Sequence, residues 1–367
     1  MSAAVVSSAE DLAALRRSVR AFLADAVPEA EVRRLAETRT GFDPAVWARL
    51  AGELGLTGLV VPEEFGGSGA GFAALGVVLE EAGRALLPAP LFSTVVLGVH
   101  ALLLSGDVAA QADHLPEIAA GRLRVAVGGL GTGPRARAIA GTRGWLLEGT
   151  VDGVLDGATA DLLLVFADAE GGAGLFAVPS SAAGLSRTPL RTLDLTRRQA
   201  RVELHATPAA LVGAVGDGGR VSAALLDRAL AALAAESVGG AQRVLEMAVE
   251  YAGTRYQFGR AIGSFQAVKH RCADMLIDVE RMRVAAEAAL GAVDAAAPDL
   301  PVAARVAASF CGEAYFAAAA SGIQVHGGIG FTWEHPAHLY YRRAKSAELL
   351  FGSPAEHREA LLRQLGH

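Results

Sequence analysis

Seven apolar side chains in the last third of the chain recur in alternating steps of three and four residues without a break. They are Phe265, Val268, Cys272, Met275, Val279, Met282 and Ala286. On an α-helix this spacing puts all of them on one face, because 3.6 residues complete one turn. A face this long and regular is typical of a helix whose neighbours pack nearly parallel to it, at about +20°. The spacing therefore predicts that this part of the chain folds as a helical bundle.

The pattern of apolar residues changes twice along the chain. Up to residue 121 the apolar residues follow the three- and four-residue spacing of helices. Short apolar runs divided by Gly, Pro and Asp follow, as in a small antiparallel β domain, and then helical spacing returns. We therefore expect an α+β multidomain protein with an α-helical N-terminal domain (1–121), an antiparallel β middle domain (122–216) and a C-terminal helical bundle (217–367).

The charge balance and the cysteine count each argue against a class of function. The net charge is −6, with 33 Lys and Arg against 39 Asp and Glu, whereas a nucleic-acid surface requires clustered positive charge. Cys272 and Cys311 both fall in helical patterns, so we interpret them as small buried side chains. We therefore expect no nucleic-acid partner, no disulfide and no metal site.

One stretch of the chain is apolar enough to raise the question of a membrane span. Residues 85–106 carry no charge over the length that a membrane-crossing helix needs. Prolines and small polar residues interrupt the stretch, and no basic flank follows it, so it predicts a buried helix of a large core. The first twelve residues lack the basic-then-apolar order of an export signal. We expect a cytoplasmic protein without a membrane span.

Two glycine-rich loops, at 67–71 and 129–133, invite comparison with a dinucleotide-binding loop. Their spacing is G-x-G-x-G, whereas the dinucleotide fingerprint is G-x-G-x-x-G between a strand and a helix. We interpret both loops as turns, and this interpretation excludes a nicotinamide-dependent dehydrogenase.

The segment from Arg255 to Gln266 is the first of two that point to a cofactor. Its pattern is that of a helix end, followed by a glycine-punctuated loop that carries Arg255, Gln257, Arg260 and Ser264. A fixed guanidinium with side-chain donors around it suits a pyrophosphate group. A solvated basic loop has the same composition, so this segment alone leaves both interpretations open.

The second segment runs from Gln324 to Thr332, and its glycines allow a backbone or a nucleotide to approach closely. With R-x-x-F-G-x-x-I-x-x-F-Q at 255–266 and Q-x-x-G-G-x-G at 324–330, the sequence closely resembles the acyl-CoA dehydrogenase family. The likeness extends over nearly the whole chain and includes the stretches 54–67 and 79–84.

This resemblance implies a reaction, a cofactor and an architecture. The reaction is the FAD-dependent α,β-desaturation of an acyl-CoA thioester, after which the electrons pass to an electron-transfer flavoprotein. The architecture is a helical N-terminal domain, a β middle domain and a C-terminal four-helix bundle, in a homo- or hetero-oligomer. The first five of the following cofactor-binding candidates would reach across the interface to a neighbouring subunit's FAD: Arg255, Gln257, Phe258, Ile262, Gln324, Gly327 and Gly328.

The two positions at which the family places its catalytic Glu hold residues that cannot accept a proton. Counted from the second motif, one position is Phe351, and counted back from the first motif, the other is Ala229. Glu348 lies one helical turn before Phe351, and Glu236 lies on the same helix face as Ala229. These two are the candidate substitute bases, and an ordinary surface or paired carboxylate is the alternative for each.

The positions that would contact this chain's own flavin ring also depart from the family. Gly153 replaces an aromatic residue, Leu155 replaces a hydroxyl-bearing one, and the loop 128–133 lacks the family's acid. We therefore favour a base-lacking partner subunit of a hetero-oligomeric acyl-CoA dehydrogenase, of the kind used in bacterial steroid side-chain degradation, which completes the FAD site of a catalytic paralogue. The alternative is a self-sufficient enzyme that uses Glu348 or Glu236 as a displaced base.

Overall fold

The structure, a computed structural model, describes residues 8–131, 135–142, 144–364 and 366. Backbone contacts divide the chain into two compact units. The first contains residues 34–74 and 88–229, and the second contains residues 9–33, 75–87 and 230–367. The domain boundaries expected from the sequence stay predictions.

Helices dominate both ends of the chain, and strands dominate its middle. The helices are α1 (Ala9–Ala26), α2 (Glu29–Glu37), α3 (Pro44–Gly52), α4 (Phe72–Ala85), α5 (Val99–Ser105), α6 (Val108–Ala119), α7 (Gly218–Thr254), α8 (Gln266–Asp294), α9 (Leu300–His326), α10 (Ala337–Leu349) and α11 (Pro354–Gln364). The strands are β1 (Val125–Gly128), β2 (Ala136–Gly141), β3 (Gly144–Leu155), β4 (Leu162–Ala169), β5 (Gly172–Pro179), β6 (Leu185–Pro189), β7 (Gln199–Val212), β8 (Tyr256–Gln257) and β9 (Arg260–Ala261). The order of helical, β and helical regions confirms the predicted fold class.

The first unit is built on a sheet whose strands pair in a closed ring. The strand order is β1-β4-β2-β3-β7-β5, and β5 also pairs with β4, while β6 pairs with β7. Leu147, Phe176 and Val202 are among the buried side chains of its core. Most pairings are antiparallel as predicted, but β1–β4 and β2–β4 are parallel. These two pairs join strands that are distant in sequence, which local patterns do not reveal.

The centre of the uncharged stretch 85–106 is buried in the first unit. A π-helical segment, Phe92–Gly98, runs directly into α5, and the hydroxyl of Thr94 bonds to both the N–H and the carbonyl of Val125. The predicted buried helix is therefore present. Within the described residues, one helical stretch, Leu300–Phe331, is long and apolar enough to cross a membrane, and half of its 18-residue apolar window is buried in the structure.

The glycine-rich loop before α4 folds back on the preceding chain. Ser68 N donates to Gly58 O at 2.9 Å, and a Cβ added at Gly67 would lie 2.1 Å from Val61 O. The loop is therefore a tight turn, as the sequence predicts.

The second unit contains the predicted bundle. The seam residues Met275, Val279, Met282 and Ala286 are buried, and the three that precede them are half-buried. Helix α8 packs on α9, which also contacts α7, α10 and α11. Cys311 on α9 is fully buried, and this burial raises the pKa of its thiol to about 12.

Helix α4 crosses α7 at two glycines. A Cβ added at Gly83 would lie 2.0 Å from Glu236 O, and one added at Gly239 would lie 1.8 Å from Glu80 O. Real carbon and oxygen atoms do not approach so closely, so the two helices touch backbone to backbone at this crossing. The crossing holds in place the part of α7 that leads into the first motif.

Candidate functional site

The first motif segment forms a β-hairpin directly after α7. β8 pairs with β9 in the register Gln257↔Arg260. The turn residues Phe258 and Gly259 both have a left-handed backbone, with φ of +53° and +75°, as the twist of a two-residue hairpin favours. This backbone strains a phenylalanine, and the ring it carries is 91% exposed. The hairpin therefore projects Phe258 into solvent.

Local contacts fix the base of the hairpin and leave polar side chains accessible. Ile262, which is half-buried, donates from its N–H to Arg255 O at 2.8 Å. The guanidinium of Arg260 lies 4.1 Å from the ring centre of Phe265. The side chains of Arg255 and Gln257 are both exposed. Two donors for an anionic group therefore lie beside a projecting aromatic ring.

The second motif segment ends α9 with glycines. Gly327 has φ of +63° and ψ of −140°, a conformation open essentially to glycine alone. A Cβ added at Gly327 or Gly328 would meet no heavy atom of the described residues within 4 Å, whereas one added at Gly330 would lie 2.9 Å from His326 Cβ. The side chain of Gln324 is exposed. The first two glycines thus present open backbone to which a nucleotide could approach.

The two motif segments adjoin each other through a ring contact. The ring of His326, the last residue of α9, lies 4.7 Å from the ring of Tyr251 on α7. Arg255 N donates to Tyr251 O at 2.8 Å, so the hairpin begins one turn after this contact. The structure therefore brings the segment around Arg255 next to the segment that begins at Gln324.

The two positions expected for a catalytic base are structural in character. Phe351 has φ of +66° and is followed by Gly352 with φ of +119°. Ser353 and Glu356 then form a reciprocal cap at the start of α11, with Ser353 N donating to Glu356 Oε2 at 2.7 Å. Ala229 is fully buried. Neither Phe351 nor Ala229 offers a proton acceptor.

Glu348, the first candidate substitute, borders a very small cavity. Its carboxylate pairs with Lys345 Nζ at 2.5 Å and is largely buried. The cavity between α7, α9 and α10 that it lines has a volume of about 10 Å³, which holds at most about one water. A thioester does not fit there, so the geometry favours a structural role for Glu348.

Glu236, the second candidate substitute, belongs to a buried ion pair. Arg343 Nη1 donates to its Oε1 at 2.9 Å, and both side chains are less than a tenth exposed. A carboxylate held by a buried guanidinium is committed to that partner. The geometry therefore favours a structural role for Glu236 as well.

Strand β3 carries the two positions expected beside a flavin ring. Gly153 lies in a bulge, where the pairing of β3 with β7 shifts between Val151 and Val154, and its φ is +71°. A left-handed glycine is typical of such a bulge. Leu155 is buried. Gly153 therefore allows the backbone conformation of the bulge, and Leu155 packs in the interior.

The loop after β1 is also tightly constrained. Gly129 has φ of +75°, and a Cβ added there would lie 2.7 Å from Phe166 O. The described part of the loop, residues 128–131, carries no carboxylate. Thr132 and Gly133, the last residues of the predicted glycine loop, lie outside the described residues.

One group of side chains at the site was not predicted from the sequence. The His335 ring contacts the His326 ring at a tilt, and the rings of His338 and Trp333 meet in a T-shaped arrangement. The signal was the close succession of a tryptophan and two histidines after the second motif, which itself contains His326. Nothing in their spacing indicates which rings touch.

Comparison with known proteins gives two family matches that together span both helical regions. Residues 9–122 match the model described as Acyl-CoA dehydrogenase, N-terminal domain, and residues 216–366 match Acyl-CoA dehydrogenase, C-terminal domain. The acyl-CoA dehydrogenase IpdE2 of Mycobacterium tuberculosis is 37% identical over 347 residues, which cover 95% of each chain.

Two solved structures are similar over almost the whole chain. A variant of the Tcur3481–Tcur3483 steroid ACAD superposes with a TM-score of 0.88 at 33% identity, covering 97% of this chain and 98% of that one. The ChsE4–ChsE5 complex from Mycobacterium tuberculosis superposes with a TM-score of 0.91 at 29% identity, covering 99% of each chain.

Proposed function

The chain belongs to the acyl-CoA dehydrogenase family, whose members are FAD-dependent oxidoreductases of lipid metabolism, and we propose that within this family it is a partner subunit. It joins a catalytic paralogue in a hetero-oligomeric acyl-CoA dehydrogenase and completes the FAD site of that paralogue. The paralogue supplies the base, and this chain supplies contacts to the cofactor.

A contrast between two sets of positions carries this proposal. The segments that would hold a neighbour's FAD, 255–262 and 324–328, are mostly exposed and sterically open. The positions that would serve a substrate and a flavin bound by this chain itself hold Phe351, Ala229 and Gly153. Phe351 and Ala229 offer no base, and Gly153 offers no side chain to contact the flavin ring. A chain with this contrast is suited to contributing to a site rather than housing one.

The exposed groups of the first set fit a dinucleotide. A bound FAD would supply the acceptor for the β hydrogen that leaves the acyl thioester as hydride. The Arg255 guanidinium offers parallel N–H donors that match the geometry of a phosphate, and the Gln257 amide adds a further donor. The open backbone at Gly327 and Gly328 leaves room for the nucleotide. Phe258, fully projected from its hairpin, would be covered by the partner chain.

The names of the similar structures support a two-chain assembly. Both the Tcur3481–Tcur3483 steroid ACAD and the ChsE4–ChsE5 complex are pairs of chains, and the first is named for steroids. We propose by analogy that the substrate is an acyl-CoA with a bulky, steroid-derived acyl group. The electron acceptor that the family resemblance implies is an electron-transfer flavoprotein.

The alternative of a self-sufficient enzyme with a displaced base draws no support from the geometry. Glu348 borders a cavity that holds about one water, and Glu236 is paired with the buried Arg343. Among the described residues, the cavity at Glu348 is too small for an acyl thioester, and the carboxylate of Glu236 is held by Arg343.

Expression of the chain alone, and together with a paralogue, distinguishes a partner subunit from a self-sufficient enzyme. Purified by itself, the chain should bind little FAD and should not reduce an artificial electron acceptor with any acyl-CoA, since it lacks base and ring contacts. Co-expressed with a paralogue that carries Glu at the position of Ala229, it should copurify as a yellow, active complex. The measurements are the ratio of flavin to chain and the turnover. A yellow lone chain that turns over an acyl-CoA would sink the proposal.

Removal of the Arg255 side chain should loosen FAD in the assembled complex. Loss of a charge-assisted hydrogen bond costs about 1.5–3 kcal/mol, which corresponds to an FAD dissociation constant raised about ten- to a hundredfold. The variant is Arg255→Ala, measured by flavin fluorescence during titration of the apo complex. Arg17→Ala, which changes an exposed arginine on α1, should leave the constant unchanged. Equal constants for the two variants would remove Arg255 from the FAD site.

A further inference from the structure

Three aromatic rings lie close together at the end of α9, where the second motif segment begins. The ring centre of His326 is 4.1 Å from that of His335 and 4.7 Å from that of Tyr251, and both pairs of rings are tilted. We call Tyr251, His326 and His335 the ring cluster. Tyr251 lies one turn before Arg255, and His326 immediately precedes Gly327. The cluster therefore joins the starting points of both segments that would face FAD.

Hydrogen bonds define the state of the two imidazoles. His326 Nδ1 lies 2.7 Å from Gly322 O, and because a carbonyl only accepts, Nδ1 carries the proton. Its Nε2 is buried and has no hydrogen-bond partner among the described residues. The N–H of Ala337 donates to His335 Nδ1 at 3.2 Å, so that nitrogen is unprotonated. Both rings are thus held neutral and in one orientation.

The surroundings of the cluster disfavour a positive charge. Arg33 on α2 donates to Trp333 O at 2.6 Å and lies 3.5 Å from His338 Nε2. Arg342 on α10 lies over the Trp333 ring at 4.8 Å. The one nearby carboxylate among the described groups that act on His335 is Glu29, which is already paired with Arg33. Burial, then His326, Arg33 and His338, lower the pKa of His335 to about 4 against the opposing effect of Glu29, and burial also lowers the pKa of His326.

We propose that the ring cluster sets the position of both FAD-facing segments, so that His326 and His335 are positioning residues for the neighbouring subunit's FAD and their protonation releases it. The inference rests on the proposed function. A proton on His335 Nδ1 would oppose the N–H of Ala337, and a charged His326 would be buried, which its surroundings disfavour. Either event forces the rings apart, and with them Gly327 and the turn of α7 before Arg255.

Two substitutions of one residue separate the ring from its titration. His335→Ala removes the ring that contacts His326, whereas His335→Phe keeps a ring that cannot be protonated. In the complex with the paralogue at pH 7.5, we expect His335→Ala to raise the FAD dissociation constant about tenfold. His335→Phe should stay close to the unmodified complex. Size-exclusion chromatography should show the same assembly for all three proteins.

The pH profile of FAD retention is the readout that a purely structural role would not move. A folded-state pKa of about 4 against an ordinary value near 6.5 means that the neutral cluster is favoured, and that this preference is lost as pH falls from 6.5 towards 4. The unmodified complex should therefore hold FAD above neutral pH and release it across this window. The complex with His335→Phe should retain FAD further into the acid range.

The outcomes distinguish this inference from the proposed function. If the unmodified complex forms and holds FAD, but His335→Ala binds FAD as tightly and both substitutions leave the acid release unchanged, the ring cluster does not position the site. If the unmodified complex does not hold FAD at all, the proposed function itself fails. A loss of FAD in His335→Ala that only follows a lower thermal midpoint of the lone chain would also count against the inference.

Discussion

Replacement of Gly239 with alanine should lower the free energy of unfolding by about 3 kcal/mol or more. The new Cβ would lie 1.8 Å from the main-chain oxygen of Glu80 on α4. A backbone atom cannot rotate aside as a side chain can, so α4 and α7 must move apart and the side chains around the crossing lose contact. Urea unfolding of the full chain, followed by circular dichroism, measures the change.

A second glycine provides the matched control for this substitution. Gly291 is exposed on α8, and a Cβ added there meets no heavy atom of the described residues within 4 Å. Gly291→Ala should be neutral or stabilising by up to about 1 kcal/mol, because alanine has the higher helix propensity. Equal unfolding midpoints for the two variants would mean that the backbones of α4 and α7 do not touch at Gly239.

Replacement of Arg343 with methionine should destabilise the chain by about 3–5 kcal/mol. The change leaves a buried carboxylate, Glu236, that has lost its guanidinium partner, and the charge cannot be solvated without opening the packing around it. A second change, Glu236→Leu, should restore most of the stability, because the double variant replaces the pair with apolar groups. Urea unfolding of the single and double variants measures both effects.

The control for the buried pair is an exposed one. Arg358 and Glu313 are 2.8 Å apart, and both side chains are about half exposed. Arg358→Met should cost less than about 1 kcal/mol, since water screens such a pair. If Arg343→Met lowers the free energy of unfolding no more than this control does, the structural role of Glu236 is wrong, and Glu236 is again a candidate for the catalytic base.

The helical bundle was predictable because its signal is local and repeated. Met275, Val279 and Met282 recur at the helix period, and the period alone determines that they share a face. The structure buries all three. The β region was predictable in the same way from short apolar runs and turn residues, but its parallel pairs were not, because β1, β2 and β4 meet only through the fold of the whole sheet.

The crossing of α4 and α7 lay beyond the sequence analysis. Gly83 and Gly239 each lower helix propensity, so local reasoning assigns them a cost and no purpose. Their purpose is a close approach of two backbones whose contact atoms are the main-chain oxygens of Glu236 and Glu80. Contacts between main-chain atoms do not depend on which side chains the neighbouring residues carry. Only the structure therefore reveals that Gly83 and Gly239 belong to one crossing.

The candidate site also has a part that the sequence predicts and a part that only the structure shows. The exposure of Arg255 and Gln257 follows from a polar loop that interrupts two helices, and their role toward FAD stays a prediction. The ring cluster depends on α7, α9 and the segment that precedes α10 coming together. The depressed pKa of His335 depends further on Arg33, which comes from near the other end of the chain. Interactions of such long range have no period or spacing that a sequence displays.

The strained hairpin at Phe258 has a consequence for the abundance of this chain in the cell. In the proposed partner role, a copy without a paralogue leaves this ring uncovered and 91% accessible, and it lacks the stabilisation that binding a partner adds, so it is cleared more readily. We expect surplus copies to be removed and paired copies to persist. The cellular level of this protein would then follow the supply of its paralogue more closely than the rate of its own synthesis.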